Sequence, residues 1–381
     1  MRIAYVSADP GIPVWGSKGA SIHVQEMLRA LTRAGHDLTV LTPRAEGTPP
    51  KDLEDVEVLA LPTAPKGAPE ARARMLLSAN DAMRSLLDDL VPDLIYERHA
   101  LYAFAAMEWA IEAGIPSVLE VNAPLLSEQA THRTLALPDD AEMGVRRAMR
   151  AASLTTAVTE PVAVHARAMG ATDVVVIPNA VDPDRFPTAA PLAAQPFTVG
   201  FLGSLKPWHG LPTLVDAFAQ LRTHRPDARL LVIGDGPERG AIQEALTRVG
   251  ADEAAEFTGL LPASAVPAAL ARLDVGTAPY GAAPDFYFSP LKIYEYMAAG
   301  LPVVASDAGH LRKIVTHDAT GLIVPPDDAG ALATELLRLA GDLSLGRRLG
   351  AAGRAEVLAH NTWAGTAARI LDHIREKRRA A

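Results

Sequence analysis

The chain has 381 residues, more than a single hydrophobic core usually organises, so two domains are the starting expectation. Hydrophobic residues make up 49% of it and charged residues 21%, an ordinary globular balance that speaks against a disordered chain. A formal net charge of -9 argues against a binder of nucleic-acid backbones, and the lack of cysteine removes disulfides, thiolate catalysis and Cys-ligated zinc from consideration.

The opening residues Met1-Arg2-Ile3-Ala4-Tyr5-Val6-Ser7-Ala8-Asp9 turn acidic too soon for a signal peptide, and no run reaches the roughly 18 apolar residues of a membrane span; a cytoplasmic protein is expected. Residues 3–6 read as a strand. Residues 20–33 read as a helix with Val24, Met27, Leu28 and Leu31 on one face and Gly35 as its stop, and 38–41 as the second strand. Between strand and helix, Gly16-Ser17-Lys18-Gly19-Ala20-Ser21 forms a glycine-rich loop able to close over a ligand, although it lacks the full P-loop pattern. His23, in the first helical turn, reads as a structural partner rather than a catalyst. Further strands are expected at 56–61, 94–96, 117–121, 154–158 and 174–177, with helical stretches between them as in parallel βαβ units. Polar groups gather where two of these strands end, in Tyr96-Glu97-Arg98-His99 and Glu120-Val121-Asn122-Ala123-Pro124. Such residues are either ordinary loop starts or substrate contacts.

Residues 178–183 and 187–196 are rich in proline and turn formers and carry no periodicity, which marks a linker. The pattern then restarts, with strands at 198–202, 230–233, 255–258, 275–278, 302–305 and 322–324 and a helix at 211–221. Beyond Asp328 only helices are expected, the last over 363–377. About a dozen strands are too many for an eight-stranded barrel, and two doubly wound α/β domains facing across a cleft fit better. The expected domains are 1–185, rejoined by a helix within 362–381, and 196–361.

In the second half, Gly203-Ser204-Leu205-Lys206-Pro207-Trp208-His209-Gly210 follows a strand and brings a lysine and a histidine to its C-terminal end, a position suited to phosphate. Gly234-Asp235-Gly236-Pro237-Glu238-Arg239 has Arg239 where a dinucleotide fingerprint has its third glycine, so it is either a plain strand-to-helix turn or a close approach to a nucleotide. The densest signal is Ser289-Pro290-Leu291-Lys292-Ile293-Tyr294-Glu295. Ser289 reads as an N-cap and Pro290 as the first helical residue, which aims free N–H groups at a diphosphate. Lys292 and Glu295 then share one face, the ammonium near the phosphates and the carboxylate placed to accept from ribose hydroxyls. There is no H-E-x-x-H and no G-x-S-x-G, and Asp182-Pro183-Asp184 falls in the linker, so a metal is not required.

These segments, in this order and together with Ile177-Pro178-Asn179-Ala180-Val181-Asp182 and Phe257-Thr258-Gly259, resemble the retaining glycosyltransferases of GT-B architecture, family 4 (group 1). The resemblance implies two Rossmann-like domains, a donor held mainly by the second, an acceptor held by the first, and a C-terminal helix crossing back to the first. It implies Lys206, Lys292 and Asn122 as catalytic candidates, Asn122 standing where the family commonly has histidine. Donor contacts would come from Gly16, Lys18, Gly19, His209, Gly234, Leu261, Asp285, Ser289, Pro290, Leu291 and Glu295, and acceptor contacts from Glu97, Arg98 and Glu120. The chain departs from the family in having Tyr287 where a first glutamate often stands, with Asp285 as a substitute, and Ser204 and His209 where arginine and lysine are frequent. The implied reaction moves a hexose-type sugar from a UDP-, GDP- or dTDP-sugar to a hydroxyl of a glycan, a lipid-linked sugar or a small natural product, with no cofactor and no metal. A sugar-nucleotide 2-epimerase and a non-catalytic nucleotide-sugar binder are the alternatives. No nucleic-acid partner is expected, and at most peripheral membrane contact through Arg375-Glu376-Lys377-Arg378-Arg379, a cluster that a helix C-terminus favours by itself. The Ala/Arg-rich composition suggests a bacterium.

Overall fold

A computed structural model describes residues 1–63, 67–187, 196–283 and 286–380. The chain forms two compact units, one of Met1–Pro178 with the segment from Trp363 onward, the other of Asn179–Thr362. The change of unit falls after Pro178, ahead of the expected boundary at 185. Val181 N–H donates to the Asn361 carbonyl at 2.9 Å and Asn179 is bonded to Ser289, so this stretch already belongs to the second unit.

The first unit is a seven-stranded parallel sheet in the order β3-β2-β1-β4-β5-β6-β7. Its strands are β1 Arg2–Ser7, β2 Asp37–Thr42, β3 Glu57–Ala60, β4 Leu94–Arg98, β5 Ser117–Val121, β6 Leu154–Ala157 and β7 Val174–Val176. The helices are α1 Gly19–Arg33, α2 Pro69–Leu90, α3 Ala105–Ala113, α4 Leu125–His132, α5 Pro138–Ala151 and α6 Glu160–Met169. In the register of β1 with β4, Tyr5 lies opposite Tyr96, and the two rings stack at 5.2 Å. The predicted face of α1 is buried, and Gly35 ends the helix at φ +79°. The C-terminal helix Trp363–Ala380 completes this unit. Trp363 meets His23 edge-on at 4.6 Å, and Asp173 accepts from both His373 (2.9 Å) and Lys377 (2.5 Å). Lys377, one of the basic residues at the helix C-terminus, is thus bonded within this unit.

The second unit is a six-stranded parallel sheet in the order β10-β9-β8-β11-β12-β13. Its strands are β8 Thr198–Leu202, β9 Arg229–Ile233, β10 Ala255–Gly259, β11 Val275–Ala278, β12 Val303–Ser306 and β13 Leu322–Val324. Helices α7 Leu211–His224, α8 Arg239–Arg248, α9 Val266–Leu270, α10 Leu291–Ala298, α11 Ala329–Gly341 and α12 Leu343–His360 surround it, so the C-terminal helix is α13. Alternation along the strands divides the core. Val199, Phe201, Leu230 and Val232 pack on one face, while Leu202, Leu231 and Ile233 pack on the other. Every strand expected from the sequence is present, with ends displaced by at most two residues. Among the described residues no helix is long and apolar enough to cross a membrane.

Candidate active site

In the second unit the strand order reverses at β8, which has β9 on one side and β11 on the other. Ligands of open α/β sheets bind outside the strand C-termini at such a switch point. Residues 203–210 leave β8 there, and residues 279–283 follow β11. The first of these is stitched to the turn after β9. Gly203 N–H donates to Ile233 O (2.9 Å), Leu205 N–H to Asp235 O (3.1 Å) and Glu238 N–H to Leu205 O (3.2 Å). Gly234 has φ +135°, and a Cβ there would strike the Gly203 carbonyl. Its glycine is thus explained by loop-on-loop packing, and α8 begins at Arg239, two residues beyond Pro237.

Ser289 is not the N-cap of α10. Pro290 holds that position without a side-chain bond, and the helix starts at Leu291. The Ser289 hydroxyl instead accepts from Asn179 N–H at 3.1 Å, while Asn179 Nδ2 donates to the Ser289 carbonyl at 2.5 Å. No side chain caps the first turn, whose Ile293 N–H donates to the Pro290 carbonyl at 3.3 Å, and a helix terminus favours an anion. Lys292, in that turn, is only 6% exposed and its Nζ has no hydrogen-bond partner. The ammonium lies 3.9 Å from the Phe201 ring centroid and 5.2 Å from that of Tyr280. It also stands 3.2 Å from where a Cβ on Gly203 would be. Burial pulls Lys292 down to about 7, with Glu295 one turn along opposing that shift.

His209 is placed beside this lysine. Burial, reinforced by the positive charge of Lys292, lowers it to about 3, so the ring is neutral. Its Nδ1 lies 2.5 Å from the Ser204 carbonyl and must donate to it, which fixes the tautomer and anchors the loop. Lys206 Nζ lies 5.8 Å from the Trp208 ring, and its charge also acts on His209. Trp208 lies parallel to Phe288 at 6.2 Å, and Phe288 meets Phe286 edge-on. Leu261 packs against the apolar core and Asp285 lies outside the described residues. The structure therefore gathers Gly203, His209, Pro290, Leu291, Lys292 and Glu295 at one end of the sheet. Sequence reasoning assigned no role to Asn179, Phe201 or Tyr280, since apolar strand ends and turn asparagines carry no chemical signal of their own.

In the first unit, Glu120 at the end of β5 is a hub. It accepts from Tyr96 Oη (2.6 Å), Arg98 Nη1 (2.8 Å) and Asn122 Nδ2 (2.5 Å), and lies 2.9 Å from His23 Nε2. These partners hold its carboxyl far below the ordinary range against the effect of burial. His23 is the structural partner expected of it. Glu97 is fully buried with both oxygens unbonded, and burial raises it to about 8. Glu97 and Glu120, expected as acceptor contacts, are thus both covered, because helices shield both faces of a parallel sheet. The loop at Gly16 is also tied down: Gln25 Nε2 donates to the Val14 and Gly16 carbonyls, each at 2.8 Å. Lys18 and Gly19 remain exposed at the start of α1. Among the described residues no set of three His, Asp or Glu side chains could hold a metal.

Two family models match the chain: Glycosyltransferase Family 4 over residues 17–185 and Glycosyl transferases group 1 over residues 196–342. The phosphatidyl-myo-inositol mannosyltransferase of Mycobacterium leprae is 28% identical over 362 residues, which span 93% of this chain and 91% of that protein. The GDP-mannose-dependent alpha-mannosyltransferase of Mycolicibacterium smegmatis is 29% identical over 388 residues, spanning 98% of this chain and 96% of its relative. Among solved structures, the sucrose-phosphate synthase of Thermosynechococcus elongatus superposes with a TM-score of 0.77 at 22% identity, covering 100% of both chains. With both halves matched in order and two parallel-sheet units observed, the chain belongs to the GT-B glycosyltransferases of family 4 (group 1).

Proposed function

We propose that this glycosyltransferase moves a hexose-type sugar from a nucleoside-diphosphate donor to a hydroxyl acceptor with retention of anomeric configuration, the donor bound by the second unit. The observation that carries the reading is the buried, unbonded Lys292 ammonium beside the open N-terminus of α10, one turn before Glu295. As the bond between the anomeric carbon and the β-phosphate oxygen breaks, negative charge grows on that phosphate. Lys292 and the N–H groups of the first turn of α10 stabilise it there. The acceptor oxygen bonds to the same face of the anomeric carbon and passes its proton to the departing diphosphate, so no enzyme nucleophile is required. Glu295 accepts from the ribose hydroxyls. The GDP-mannose dependence in the name of the Mycolicibacterium smegmatis relative makes GDP-mannose the first donor to test.

Glu295→Ala is expected to weaken donor binding and Lys292→Ala to lower turnover, each by roughly ten- to a hundred-fold, the worth of a hydrogen bond to a charged group. Steady-state kinetics and donor titrations of the two variants test this, and unchanged constants in both would overturn the reading. The phosphates are proposed to be held by protein groups, so activity should survive a chelator.

A further inference from the structure

The proposed site meets its diphosphate with a lysine whose surroundings disfavour a charge when nothing is bound. Lys292 Nζ rests against the Phe201 and Tyr280 rings and no oxygen accepts from it. Ring faces attract an ammonium, but that attraction does not replace the water lost on burial. The other ionisable groups packed around it supply little compensation. From the loop after β8, His209 is neutral, and the charge of Lys206 acts on that ring. At the end of β11 and on α10 itself, burial keeps Tyr280 and Tyr296 protonated. After β12, burial lowers His310 to about 4, leaving it neutral. From α12, which packs on α10, Arg354 donates to the Phe186 carbonyl. Glu295 is the one negative group that acts on Lys292 from its own helix.

We propose that donor binding carries a proton with it: in mildly alkaline solution Lys292 is neutral in the empty enzyme and becomes an ammonium as the diphosphate arrives. This rests on the nucleotide-sugar reading of the site. The incoming diphosphate supplies the acceptor oxygens and opposite charge that the pocket lacks, and an anion within a few ångströms favours the protonated amine. One lysine would thereby be an uncharged, tolerated core residue before binding and the main cation of the site after it. With Lys292 at about 7 in the empty protein, the amine is mostly neutral at pH 8 and mostly charged at pH 6. Donor binding should then take up about 0.9 proton at pH 8 and about 0.1 at pH 6, and the donor dissociation constant should rise about fivefold from pH 7 to pH 8 and nearly tenfold per unit beyond.

The test is calorimetric titration of the full chain with GDP-mannose, UDP-glucose and a dTDP-sugar at pH 6 and pH 8, each in two buffers of different ionisation enthalpy. The sugar diphosphate has no phosphate proton to exchange in this range, so the buffer dependence counts protons taken up by the protein. Uptake near one at pH 8 that falls away at pH 6, and that vanishes in Lys292→Arg, supports the inference. A donor that binds wild-type enzyme at pH 8 with uptake below about 0.2 overturns it while leaving the donor-site reading intact. Uptake that survives in Lys292→Arg also overturns it, because the proton then goes to another group such as His209. If Lys292→Arg fails to fold, the wild-type proton count decides alone. If no nucleotide sugar binds at either pH, the donor-site reading fails and the inference with it.

Discussion

Glu97 shows how far a residue's identity is from its role. On paper it is a polar group at a strand end, but in the sheet it lies between Val6 and Leu119 of the flanking strands, with neither oxygen bonded. Burial lifts its folded value to about 8, well above the 4.5 of a free glutamate. Between those two values the native state holds a proton that the unfolded state has released. The stability contributed by this group is therefore complete below about pH 4.5 and falls by about 1.4 kcal/mol per pH unit until about pH 8. The buried histidines His99, His209 and His310, lowered to about 3, 3 and 4, add stability as pH rises to about 6.5, opposite in sign to Glu97, so the Glu97 contribution is read from the difference between the wild type and Glu97→Gln. Urea unfolding at pH 5, 6 and 7 should show the stability of the wild type relative to Glu97→Gln falling by about 1.4 kcal/mol per pH unit. Parallel profiles would mean that Glu97 is ionised in the fold. Lys292 carries the same lesson. Its spacing from Glu295 was legible in the sequence, whereas the aromatic rings that strip it of water come from β8 and the loop after β11, about 90 and 12 residues upstream, and no local pattern announces them.

At the scale of elements, the strands were legible because β-branched and leucine runs of four to six residues between turn formers leave little room for another reading, as with Thr198–Leu202 and Ser117–Val121. Helix entry was less so. A serine before a proline satisfies the statistics of an N-cap, but Ser289 is claimed by Asn179, 110 residues away in sequence. The tertiary bond to Asn179 leaves the first turn of α10 uncapped. The glycine-rich turn after β9 illustrates the converse, where a motif suggestive of a nucleotide is required by packing. Gly234→Ala is expected to destabilise the protein by about 2–4 kcal/mol, since it combines a positive φ with a clash against the Gly203 backbone. Gly240→Ala, on α8 with open space around it, should be neutral or stabilise by up to about 1 kcal/mol. Thermal unfolding of the two variants checks the contrast. Equal midpoints would show that the turn after β9 relaxes to admit a side chain.

For the molecule as a whole, each of two parallel sheets carries its own core, and the chain's first and last segments meet in the same unit through His23, Trp363 and the Asp173 clamp. This division was visible as a strand-helix pattern that stops near residue 178 and starts again near 198, and the family followed from the order of the segments rather than from any one of them. The proposed donor site was legible as Lys292 and Glu295 on one short helix. The acceptor was not, because the polar strand ends read as acceptor contacts include Glu97 and Glu120, both buried in the sheet. In the proposed function the end of the second sheet near α10 binds a nucleotide sugar through those two side chains. Its most direct test is the dissociation constant of GDP-mannose, UDP-glucose and a dTDP-sugar, measured at pH 7 for the wild type and for Glu295→Ala. The prediction is that at least one donor binds the wild type and is weakened roughly ten- to a hundred-fold by the substitution. Binding that is unaffected by loss of Glu295, or no binding of any donor to the wild type, would contradict it.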